Sequence, residues 1–221
     1  MALNVNRLVV QGSVKIGTAS AGWIWDQARS AADIVLTDNG RTATDFTYGE
    51  GVYNGSSLGS AAVAIASESK MFTVKVLNTT QYMIVGFANN SFTFESPIIG
   101  GNSVGVISDG RVYNSDYSLQ TESGPTFTNT NDVVDIACSP VDGGKWWYRV
   151  NGGAWSSVYG FTGGDPAAGL YGFSLTTTAA AGTIYPAVTP NCNPSVSSIP
   201  GSWTILATPG GSIPSGFTFV G

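Results

Sequence analysis

Histidine is absent from the 221 residues. That removes Ser-His-Asp and Cys-His arrangements, and with them the commonest general base. It also removes every His-containing zinc site, and the two cysteines, Cys138 and Cys192, lie too far apart in sequence to supply one. Nor can two cysteines build a disulfide framework in a chain of this length. Each is expected to fill core volume as a small apolar group. A bond between them stays an open alternative, because its geometry is invisible in sequence.

Charge is scarce as well. Asp, Glu, Lys and Arg together make 10% of the chain, against roughly a quarter in an ordinary domain. The nine basic residues run from Arg7 to Arg149 without a cluster, and the net charge is −5. Nothing here would displace the counterions of a phosphate backbone, so nucleic acid is excluded as a partner and an anionic membrane surface is disfavoured. No run approaches the ~20 apolar residues that span a bilayer, which argues against membrane insertion. The start, Met1 to Arg7, lacks the basic and apolar regions of a signal peptide, so the protein is expected to be made in a cytoplasm without one. Helical periodicity is nearly missing too. The best candidate is a short turn over Gln27 to Ala32.

What is present is strand after strand separated by turn chemistry. Ile34 to Leu36 runs into Asp38-Asn39-Gly40, residues that tolerate positive φ. Ala61 to Ala66 and Met71 to Leu77 follow. In the latter, Phe72, Val74 and Val76 alternate with Thr73 and Lys75, which predicts one buried face. Tyr82 to Ala88 is almost continuously apolar, the pattern of a central strand covered on both sides. Ser103 to Ile107, Arg111 to Tyr113 and Val133 to Cys138 add further strands. Trp146 to Val150 lies between Asp142-Gly143-Gly144 and Asn151-Gly152-Gly153. It places Trp146, Tyr148 and Val150 on one face, Trp147 and Arg149 on the other. Gly169 to Leu175, Thr183 to Val188 and Trp203 to Leu206 precede a Pro/Gly-rich tail from Pro209. Short strands at this spacing predict an all-β, antiparallel β-sandwich over residues 23–221. No fixed period recurs, which argues against a propeller or solenoid. Residues 1–22, with Val9-Val10 and Val14/Ile16, read as an N-terminal arm or an added edge strand.

Glycoside hydrolysis needs two carboxylates, about 5–5.5 Å apart in retaining enzymes. Glu50, Glu68, Glu95 and Glu122 are isolated in sequence, and Asp132 and Asp135 fall on opposite faces of a regular strand. No catalytic residues are assigned, and the chain is read as a non-enzyme. Asp109 with Asn114 and Asp116, or Asp38 with Asn39, could offer oxygens to calcium. The same residues are ordinary turn formers, so no metal or other cofactor is assigned.

Aromatic residues are the sharper signal. Trp147, Trp155, Tyr159 and Phe161 surround a glycine-rich turn, with Arg149 and Asn151 close by. Rings for the apolar face of a sugar, with planar polar groups for its hydroxyls, are what a glycan site requires. The alternative is that Trp147 and Trp155 cover the second face of the sheet or an interface. Tyr113, Asp116 and Tyr117 form a second candidate on another loop.

Several of these segments, in order, resemble the SPRY-type, concanavalin-like β-sandwich domains of phage virion proteins. The resemblance runs through Trp25-Asp26, Ala32 to Thr44, Tyr82 to Asn89 and Val104 to Asn114. It continues through Asn131 to Ile136, Gly144 to Gly152, Ile184 to Val188 and Pro214 to Phe217, with Gly163 to Gly169 as a loop of the same type. It implies a jelly-roll sandwich displayed on an extracellular particle. The expected role is a virion structural protein, in capsid decoration or in the tail or baseplate, contacting other virion proteins in a homo-oligomer. Its alternative is a receptor-binding module for a cell-surface glycan, with a polysaccharide hydrolase as a minor third. Residues 1–22 and the Pro/Ser-rich stretch from Asn191 to Trp203 depart from the pattern and mark where attachment is expected.

Overall fold

The computed structural model describes residues 23–46, 56–60, 63–64, 67–79, 82–93, 102–114, 118–121, 123–160, 162–175, 182–190 and 200–221. The expected arm over residues 1–22, Cys192, most of the stretch from Asn191 to Trp203, Glu50, Glu95 and Glu122 lie outside them. In chain order the strands begin with β1 (Trp25–Ser30), β2 (Ile34–Thr37), β3 (Thr42–Asp45), β4 (Ser57–Gly59) and β5 (Val63–Ala64). Next come β6 (Lys70–Asn78), β7 (Ile84–Asn89), β8 (Ser103–Ile107), β9 (Val112–Tyr113) and β10 (Leu119–Thr121). The rest are β11 (Val133–Ser139), β12 (Lys145–Val150), β13 (Phe173–Ser174), β14 (Thr183–Thr189), β15 (Gly201–Ile205) and β16 (Thr218–Phe219).

They form two sheets of eight strands, as alternation and turn chemistry predict. One runs β1-β4-β14-β7-β8-β9-β10, with β5 also on β14; the other runs β13-β12-β11-β6-β15-β3-β2. All pairs are antiparallel except β16, which lies parallel to the start of β6 beside Lys70 and Met71. β7 is buried along its whole length, in accord with its nearly continuous apolar run. Its Gly86 faces Gly105 on β8, and a Cβ there would lie 2.1 Å from the Val104 carbonyl oxygen.

Between the sheets the aromatics interlock edge to face. Trp23 meets Phe72 at 5.2 Å, Phe72 meets Phe87 at 5.5 Å, and Phe87 meets Trp146 at 6.3 Å. Burying each such ring contributes about 1.5–3 kcal/mol before the entropy of ordering it. Cys138 belongs to this core as a free thiol, and burial pushes its pKa up to about 12.

Two local expectations change. Residues 25–30 form β1 rather than a helical turn. Asp26 accepts from the Ala28 amide, and its carbonyl accepts from the Ser30 hydroxyl, so the segment carries turn-like side-chain bonds while it pairs with β4. Pairing beside the buried Trp25 outweighs the weak helical pattern. The strand expected over Gly169 to Leu175 shrinks to Phe173–Ser174, because Gly169 and Tyr171 take positive φ.

Candidate functional site

The outward face of the second sheet is covered by its own chain. Cross-strand register places Thr73, Asp135 and Arg149 in one row over β6, β11 and β12, and Met71, Ala137 and Trp147 in the next. After β15 the chain crosses this face as a strap. The Leu206 amide donates to the Thr73 carbonyl, and the Gly210 amide to Asp135 Oδ1 at 2.8 Å. The strap then returns as β16, where the Val220 amide bonds the Met71 carbonyl. Phe217 stands edge-on to Trp147 at 6.5 Å, and Phe219 joins the same cluster.

Trp147 is therefore buried, its indole N–H donating to the Leu170 carbonyl at 2.9 Å. Gly172 permits that approach, since a Cβ there would meet the ring at 2.5 Å. Arg149 is buried too. Its Nε donates to Asp135 Oδ2 at 2.8 Å, its Nη2 to the Ser212 carbonyl at 2.7 Å, and its guanidinium lies 4.3 Å from the ring centre of half-buried Trp155. Asn151 sits at φ 51 in an exposed turn. Its amide oxygen accepts from the Val133 amide, and its Nδ2 donates to Asp132 Oδ1. The structure thus brings Trp147, Arg149 and Trp155 together as packing beneath the strap, not as a surface.

Tyr159 is different. It is 82% exposed at the tip of the turn between Ser157 and Gly160. Its ring stands edge-to-face with Tyr171 at 5.5 Å, and Tyr171 is 50% exposed beside Leu170 at 48%. The backbone beneath this pair is fixed. Ser157 Oγ donates to the Thr162 carbonyl, the Val158 amide to the Tyr171 carbonyl, and Asp165 and Leu170 exchange backbone bonds. Tyr171 holds φ 58, a left-handed conformation that costs a non-glycine residue about 1–2 kcal/mol. Sequence reasoning missed Tyr171 by reading it into a strand. The signal available was its place between Gly169 and Gly172.

The second candidate loop is divided. Tyr113 lies half-buried on β9 in the other sheet, accepting from Arg111 Nη1 at 3.3 Å. Asp116, Tyr117 and Phe161 fall outside the described residues. Asp109 pairs with Arg111 at 2.7 Å, a contact that raises the guanidinium pKa, and the Asn114 side chain bonds Ser118 and Gln120. Among the described residues no three His, Cys, Asp or Glu side chains gather where they could hold a metal ion.

No family model matches the chain, and no curated protein sequence matches it. Solved structures do. The SPRY domain of human HERC1 superposes with a TM-score of 0.56 at 15% identity, covering 82% of this chain and 96% of that domain. The TRIM65 PSpry domain gives 0.53 at 9% identity, covering 85% and 93%. At these identities the likeness speaks for fold and not for partners. The chain has a SPRY-type, all-β sandwich fold.

Proposed function

We propose that this chain is a non-catalytic structural module of a bacteriophage virion, set in capsid decoration or in the tail or baseplate. One observation supports a module that makes contacts outside itself. The polar groups over the second sheet hold the protein to itself, while the exposed aromatics stand on a braced loop outside it. The virion setting rests on the ordered resemblance of Trp25-Asp26, Ala32 to Thr44, Tyr82 to Asn89, Val104 to Asn114, Asn131 to Ile136 and Gly144 to Gly152. Mass spectrometry of washed, purified particles tests it, with cryo-electron microscopy to locate the density. Its absence from particles that carry the gene sinks the reading.

A second reading, recognition of a cell-surface glycan, draws on the Tyr159–Tyr171 pair. Amphipathic rings held in water are suited to stacking on sugars. Soluble protein that competes with particle adsorption supports this reading, and unchanged adsorption at saturating protein removes it.

A further inference from the structure

We propose that Tyr159, Tyr171 and Asp165 form a preformed site for a neutral, hydroxyl-rich glycan. This rests on the glycan-recognition reading and names its residues and ligand class.

Three independent features converge. The first is exposure. Tyr159 and Tyr171 present two rings to water with their faces nearly perpendicular, at 66°. One ring offers its face to the C–H side of a pyranose while the other borders it. The second is preorganisation. The left-handed Tyr171 is held by its own carbonyl, which accepts from Val158, and by its neighbour's, which accepts from the Trp147 indole. Backbone strain maintained by surrounding bonds clusters at ligand sites, and a fixed platform loses little entropy when it binds.

The third is polarity. Asp165 pairs its backbone with Leu170, one residue from Tyr171, and its side chain is anchored by Oδ1, which accepts from the Ala168 amide. Its Oδ2 makes no hydrogen bond among the described residues, leaving an acceptor for a pair of sugar hydroxyls. Between Asn151 and Gly172, Asp165 is also the sole charged residue of the sequence. With one anion and no cation in the segment that carries both rings, the site is expected to disfavour sialylated, sulfated or phosphorylated sugars and to accept neutral ones.

The test uses the full-length protein on an array of neutral and anionic oligosaccharides, followed by titration of the best neutral hit. The variants are Tyr159→Ala, Tyr171→Gly and Asp165→Asn. Glycine suits φ 58, so Tyr171→Gly removes the ring and keeps the turn. Asn keeps an oxygen for the Ala168 amide. Each tyrosine variant is expected to bind roughly tenfold more weakly, with unfolding unchanged for Tyr159→Ala. Wild-type glycan binding that survives both tyrosine substitutions overturns this site and leaves the glycan reading standing. Wild type that binds no glycan removes both. Selective binding of anionic sugars overturns the ligand class. Loss of contact to a virion protein in the tyrosine variants, without glycan binding, assigns the patch to protein instead and overturns the proposal.

Discussion

Arg149 and Asp135 face each other across β12 and β11, joined at 2.8 Å with side chains 5% and 1% exposed. Thr73 and the Gly210 amide complete the carboxylate's bonds, and Ser212 takes a second guanidinium N–H. A buried pair of this kind is costly to break from one side, because the partner is left charged and unpaired. Arg149→Met is therefore expected to lower unfolding free energy by about 3–5 kcal/mol. The double variant Arg149→Met/Asp135→Leu is expected to recover much of that loss. Urea titration of the three proteins reads the difference.

Alkaline stability is expected to depend on two buried acids. Burial raises the pKa of Cys138 from 9.0 to about 12, and burial likewise raises that of Tyr148, whose hydroxyl donates to the Pro125 carbonyl. In the unfolded chain each ionises at its ordinary value while the folded protein keeps the proton. The folded state then binds more protons, so stability falls as pH rises. For Cys138 the loss begins near 9.0 and continues toward about 12. Urea midpoints between pH 7 and 10.5 should decline more gently in Cys138→Ala and in Tyr148→Phe than in wild type. At neutral pH Tyr148→Phe should itself cost about 1 kcal/mol for the lost hydrogen bond.

Gly86 tests how closely β7 and β8 must approach. The Cβ of Gly86→Ala would lie 2.7 Å from the Gly105 Cα as well as against the Val104 carbonyl. Both are backbone atoms, so the strands must part, and a loss of about 3 kcal/mol or more is expected. Gly143→Ala meets nothing within 4 Å and suffers only from φ +79. Its cost should be about 1 kcal/mol. Thermal unfolding ranks the two, and equal losses would contradict this account.

Removing residues 207–221 takes away the strap. Trp147, Met71 and the Asp135–Arg149 pair would then face water. The truncated chain is expected to bind a hydrophobic dye strongly and to unfold at a lower temperature than wild type. Native-like dye binding would show that the strap is dispensable.

The strands and their core faces were readable because side-chain alternation is local. Trp146 and Tyr148 point inward and Trp147 and Arg149 outward, as period two dictates. The cover over the outward face was not readable. Alternation reports that Arg149 points away from the core, and a charged outward residue reads as solvated or ligand-binding. Asp135 lies 14 positions away and Ser212 lies 63, so the pair and its strap exist only in three dimensions. For the same reason the Pro/Gly-rich tail concealed β16. Tyr171 was hidden by its backbone: φ 58 ended a strand that composition favoured.

The Trp23 indole N–H donates to the Val220 carbonyl at 2.7 Å, joining positions 197 residues apart. A chain emerging from the ribosome cannot make that contact, or seat β16 on β6, until residues 218–221 have left the exit tunnel. Topologies dominated by such distant pairings fold slowly, on the millisecond-to-second scale. Until that segment emerges, the nascent domain carries an uncovered tryptophan and an uncovered ion pair, the surface on which a chaperone would act.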